Sequence, residues 1–385
     1  MNYKQTFSMD NNLTLQQFTS VVYSSKIQEF DPIELGLYLL ETGDFQQRWE
    51  VANLLPKLGD SIIDPLLNIL ENEEIETEYR WFVGRILGKF NDTKIIIAFV
   101  NLLQTTEEEE LLEIAAEALG NMGIAAINNL EQLLMDDSSK LLAVKALAQI
   151  RHSETILPLL KVVDDSNPEI RAIAIESLGS FHDSQLIPIF IKALKDPIFS
   201  IRKEGIIALE MQPEFKEKFE FIKQIKPLLY DLNLEVCQQA AFALGRMKDQ
   251  EATEALSQVL SSELTPPMLK KEVIKALNWT ENPQALDYLQ QALLKEKSEI
   301  CQEIIVILGT QNQEHLKLKA TQILMDFLSL DKPVIRDKII KQSVALSLGE
   351  LGDSMAIKSL NKLAKDPEKS VQLHALAALK KMSNS

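Results

Sequence analysis

The sequence predicts an all-α chain, an α-solenoid of about eleven helical-hairpin repeats. Periodicity is the first reason. Leucines recur at Leu55, Leu87, Leu119, Leu147, Leu178, Leu209, Leu244, Leu277, Leu308, Leu348 and Leu379. The steps average about 32 residues, a period that marks a repeat architecture. A shared glycine is the second reason. The position after the leucine is Gly88, Gly120, Gly179, Gly245, Gly309 and Gly349 in six repeats, out of 13 glycines in the chain. Spacing inside a repeat is the third. Ile187, Phe190, Ile191 and Leu194 fall at i, i+3, i+4 and i+7, one apolar stripe of a helix.

Taken in order, residues 1–30 lack the pattern and read as a polar, frayed or capping segment, with no apolar signal core in Met1–Asp10. Residues 31–382 read as one continuous array, since no Gly/Ser linker divides them. The first two repeats carry Arg48-Trp49 and Arg80-Trp81 in one slot, with Tyr79 and Phe82 flanking the second. Acid dominates next: Glu71–Asp137 holds 15 acids against 4 bases. The clearest repeat then places Asp196-Pro197 between its helices, because proline lacks the amide donor and disfavours helix before it. Its second helix is expected from about Ser200, with Ile201, Gly205 and Leu209 on one face. The long step from Leu308 to Leu348 predicts an extended helix pair around Glu314–Lys341. Basic residues return at the end, with 12 bases and 8 acids in Gln311–Ser385.

Two further slots are polar. Seven residues before each leucine stand Arg48, Arg80, Leu112, Lys140, Arg171, Arg202, Cys237, Lys270, Cys301, Lys341 and Gln372, of which seven are basic. Six residues earlier an aspartate appears as Asp165, Asp196, Asp231 and Asp366. Two readings of the basic slot stand side by side. It is either a binding stripe for an acidic partner or carboxylated cofactor, or a ladder tying each repeat to its turn aspartates, which the Asp165/Arg171 and Asp196/Arg202 spacing favours. The glycine slot fits a tight helix end or a close approach of two helix backbones.

A helical pair of this length with Asp-Pro, Ile-Arg and Ala-Leu-Gly elements is the HEAT pattern. The short, glycine-ended form seen in Ile170–Phe181 resembles the HEAT-like repeats of the phycobilin lyase E/F family of cyanobacteria, over roughly residues 31–382. The resemblance implies a HEAT-like α-solenoid with an extended concave surface that holds a protein partner. It implies a cyanobacterial scaffold or assembly factor, presenting a partner loaded with a cofactor: a phycobiliprotein with its bilin, or an iron–sulphur carrier. The alternative is a bilin lyase or lyase subunit, joining a linear tetrapyrrole to a phycobiliprotein cysteine. That enzyme would work mainly by positioning. No catalytic residue carries over, and no intrinsic cofactor is expected.

Arg48, Arg80, Arg171 and Arg202 are the binding candidates from the basic slot, and Trp49, Tyr79 and Trp81 those from the aromatic one. Equivalent slots point the same way in a stack, so the two indoles should lie side by side, either as an exposed anchor or as core. Cys237 and Cys301 share a slot two repeats apart, roughly 20 Å at helix-packing distances, too far for a disulfide. They read as small buried replacements for arginine. His152, His182, His315 and His374 show no zinc spacing, and His152 and His182 read as turn or capping residues. No His-Glu dipeptide occurs, which sets the chain apart from the HEAT-like di-iron hydroxylase that modifies hypusine. No metal site is expected. The net charge of −16 argues against nucleic acid as a partner. The longest apolar run, Ile95–Val100, falls far short of the ~18 residues of a membrane span. Two cysteines suit a reducing, cytoplasmic setting.

Overall fold

A computed structural model describes residues 11–23 and 31–383, with backbone alone for residues 11–14. The parts of the expected 1–30 segment outside residues 11–23 lie outside the described residues. Contacts divide the chain into two compact units, Met1–Phe181 and His182–Ser385. Among the described residues the regular structure is helical throughout, and it forms eleven hairpins, five in the first unit and six in the second. Within each unit the second helix of a hairpin packs on the second helices before and after it, and on its own first helix. Each unit is therefore a stack of hairpins.

Local chemistry sets the helix ends. Asn167 and Asn282 cap helices whose first residue is proline, Pro168 and Pro283, and each accepts the backbone N–H two residues on. Asp44 opens Phe45–Leu54 in a reciprocal cap with Gln47. In the hairpin that the sequence marked most clearly, the helices are Ile187–Ala193 and Phe199–Glu210, parted at Asp196-Pro197 as expected. The long step resolves into Glu314–Ser329 and Lys338–Leu351, joined through a short 3-10 turn at Pro333–Arg336. Residues Asn11–Tyr23 form a further helix that packs on Pro32–Thr42, and Phe18 within it is fully buried.

The recurring leucine is the core. Ten of the eleven, Leu55 through Leu348, have no exposed surface. Each contributes about 2–3 kcal/mol of burial. The glycine slot proves to be a close approach between second helices. A Cβ on Gly245 would stand 2.6 Å from the Ala276 carbonyl oxygen, and one on Gly349 would stand 2.7 Å from the Ala378 Cβ. Only glycine lets the backbones come so near.

Candidate protein-binding surface

The basic slot sits at the start of each second helix, beside the hairpin turn, and it is a ladder. Arg202 donates from Nε and Nη2 to the two Asp231 carboxylate oxygens at 2.7 and 2.6 Å, and from Nη1 to the carbonyls of Asp196 and Pro197 at 2.8 and 3.1 Å. Arg171 donates to the carbonyls of Asp165 and Ser166 at 2.8 and 3.2 Å. Lys140 reaches Asp165 at 3.2 Å, and Lys341 reaches Asp366 at 2.6 Å. Each of these basic residues thus ties its own turn carbonyl, the next repeat's carboxylate, or both. The aspartates do two jobs, because Asp165, Asp196, Asp231 and Asp366 also accept the backbone N–H two residues on.

Where the slot holds cysteine, sulfur takes the same carbonyl. Cys237 Sγ donates to Asp231 O at 3.2 Å and Cys301 Sγ to Glu296 O at 3.3 Å. Both are buried free thiols. Burial, with Glu296 adding to it, pushes the Cys301 thiol up to about 11, and burial likewise raises Cys237. Burial alone would raise the Asp231 carboxyl as well. The bonds from Arg202 and the Asn233 amide outweigh it and hold the group below the ordinary aspartate value.

Arg48 and Arg80, candidates for a binding stripe on sequence grounds, are buried. Arg48 pairs with Glu78 at 2.9 Å and with the Glu41 carbonyl at 3.1 Å, and Arg80 Nε donates to Leu70 O at 2.9 Å. Tyr79 is buried too, its hydroxyl donating to Leu37 O at 3.2 Å. The reason is position. These residues sit where the helix starts beneath the hairpin turn, so their polar ends close the turn instead of facing solvent. Arg171 and Arg202 do the same in their repeats.

Trp49 and Trp81 behave otherwise. Each is half-buried. Arg85, one turn beyond Trp81, bridges them: its guanidinium carbon lies 4.3 Å from the Trp49 ring centre and 5.8 Å from that of Trp81. Such contacts are worth about 0.5–1 kcal/mol each at an exposed site. Phe45, 58% exposed, stacks on Trp49 with ring centres 6.1 Å apart. Phe45, Trp49, Arg85 and Trp81 therefore form one aromatic and cationic shelf across the second helices of the first two repeats. Sequence reasoning missed Phe45 and Arg85. The available signal was i, i+4 spacing from Trp49 back to Phe45 and from Trp81 on to Arg85.

Sequence reasoning also missed the third tryptophan. Trp279 is 40% exposed and packs against Phe242 at 5.4 Å, beside a cavity of about 740 Å³ lined by Gln239, Asn278, Gln311 and Gln313. Arg246 and Lys248 at its rim are neutralised by Glu210 and Glu281. His152 caps the turn at Ser153, and His182 pairs with Glu214 at 2.8 Å. Among the described residues no three His, Cys, Asp or Glu side chains gather as a metal site would need, and no helix is long and apolar enough to cross a membrane.

Comparison with known proteins places the fold. The family model of HEAT repeats matches residues 130–210 and 222–309. Among solved structures the chain is similar to Kap121p, with a TM-score of 0.60 at 11% identity over 98% of this chain and 48% of that one. It is similar to Kap95p in its complex with RanGDP, with a TM-score of 0.58 at 12% identity over 96% of this chain and 56% of that one. Kap95p is yeast importin-beta. The chain spans about half the length of these proteins. No curated protein matches the sequence. With its eleven hairpins, buried leucine slot and HEAT-repeat match, the chain has the fold of a HEAT-like α-solenoid.

Proposed function

We propose that the protein is a non-catalytic scaffold that holds another protein, with the Phe45, Trp49, Arg85 and Trp81 shelf as an anchor. The observation that carries this reading is the shelf itself. Two partly exposed indoles bridged by a guanidinium, with an exposed phenyl ring beside them, bring tryptophan and arginine, both enriched in binding hot spots, onto one surface. Their rigidity adds to this, since Arg85 is already held and little rotamer freedom is lost on contact. The likeness to Kap95p, which binds RanGDP, supports the protein-holding role at the level of fold.

Presentation of a cofactor-loaded partner in the cytoplasm of a cyanobacterium extends the same proposal. The bilin or iron–sulphur cluster would then arrive with the partner. The bilin-lyase alternative needs cationic side chains free to pair propionates beside an aromatic wall; the inward commitment of Arg48 and Arg80 leaves Arg85 alone of the three for that role, which weighs against a two-propionate clamp.

Affinity capture with the tagged wild type and a Trp49→Ala/Trp81→Ala variant tests the proposal. The variant should lose roughly tenfold or more in partner affinity, the scale of hot-spot removal, while far-ultraviolet circular dichroism stays unchanged. Equal loss of helicity would make the indoles core and sink the anchor.

A further inference from the structure

A second surface of the first unit differs in chemistry from the indole shelf. A groove of about 720 Å³ runs between the first helices of the first two hairpins, Pro32–Thr42 and Ile63–Leu70, and over the turn that follows. Its size falls within the range of binding pockets. Its wall is apolar: Leu37, Tyr38, Ile69 and Ile75 line it, all half-buried, above the buried ring of Tyr79. Its rim is acidic. Glu34, Glu41, Glu74 and Glu76 face the same cavity. Glu76 shares Arg48 at 3.4 Å with Glu78, while Glu34, Glu41 and Glu74 form no ion pair among the described residues. The turn adds Glu71 and Glu73. Such a ring of like charge around an apolar cleft is unfavourable to the fold, and low-dielectric walls focus its field on whatever enters.

We infer that this groove docks a basic peptide segment of a partner protein, one that alternates lysine or arginine with apolar side chains. Charge complementarity selects the cations, and the Leu37, Ile69 and Ile75 wall selects the apolar residues between them. A simple polycation satisfies the first requirement and not the second. The inference rests on the scaffold reading only in taking the ligand to be a protein segment. It uses none of the four shelf residues.

The test is fluorescence anisotropy of the 385-residue chain with a labelled octapeptide of alternating lysine and leucine. Two competitors are run beside it: an all-lysine octapeptide, and one of alternating glutamate and leucine. The expected result is saturable binding that weakens as salt shortens the range of the rim charges. A Glu34→Gln/Glu41→Gln/Glu74→Gln variant, altered only at exposed positions, should lose roughly fivefold or more in affinity. Ile75→Ser should weaken the lysine–leucine peptide and leave all-lysine binding unchanged. Equal affinity of wild type and the triple variant would overturn the inference. So would equal competition by the all-lysine peptide, which would reduce the groove to a general acidic surface, or binding of the glutamate peptide. Groove failure with Trp-dependent partner capture intact leaves the scaffold reading in place. The converse result separates the two in the other direction.

Discussion

Arg202 and Asp231 illustrate how one residue slot joins two repeats. The guanidinium makes a two-pronged contact with the next repeat's carboxylate and also closes its own turn, so four hydrogen bonds depend on one side chain. Arg202→Ala should cost about 3 kcal/mol, because it strands a largely buried carboxylate; urea unfolding measures it. The pH dependence follows from the lowered Asp231, Asp165 and Asp366 carboxyls. A depressed folded-state value means the stabilisation is present above the unfolded value, near pH 4, and drains away as pH falls through the folded value. Stability should therefore drop below about pH 4, and Asp231→Asn should flatten that acid limb while lowering stability at pH 7. An unchanged limb would show that the ladder carboxylates carry no linkage.

The thiols in the same slot give a second measurement. With Cys301 at about 11, the thiolate at pH 8 is scarce. Its reaction with an aromatic disulfide reagent should run about 100-fold slower in the native protein than in urea. Fast native labelling of both cysteines would place them outside the ladder. The identity of the slot was legible in the sequence, since its spacing from the leucine never varies. Which way the side chains face was not: Arg48 and Trp49 are neighbours in sequence, yet one closes a turn and the other meets solvent.

At the scale of the helix, the glycine slot decides how near two second helices come. Gly245→Ala should destabilise by about 1–3 kcal/mol, because the new methyl meets the Ala276 backbone, which has no rotamer to yield. Gly59→Ala is no counterpart, since its strain comes from a positive φ and not from a neighbour. Thermal melts of both variants check this, and a neutral Gly245→Ala would mean that the helices slide apart at no cost. Helix existence and rough bounds were readable from i, i+3, i+4 spacing and from the Asp196-Pro197 break. Short first helices were less so. Phe221–Ile225 passes into a 3-10 stretch, Lys226–Tyr230, around Pro227, where only the packing of the next helix fixes the ending.

Across the molecule, each unit is a stack in which a hairpin has no core without its neighbours. A break inside one repeat should therefore spread along the stack. Ala115→Pro, at a fully buried position inside Glu109–Met122, should strip amide-exchange protection from Thr77–Leu87 and Lys140–Gln149 as well as from its own helix. Protection lost only in Glu109–Met122 would contradict a cooperative stack. By itself the sequence determined the class, the number of hairpins and the recurring leucine, because all of these follow from a period that any stacked helix must respect. Only the tertiary structure decided that the arginines face inward, that Arg85 and Phe45 complete the indole shelf, and that Glu34, Glu41 and Glu74 converge on one groove. Those outcomes depend on which residues of different hairpins meet, and a one-dimensional repeat carries no record of the angle at which its neighbours pack.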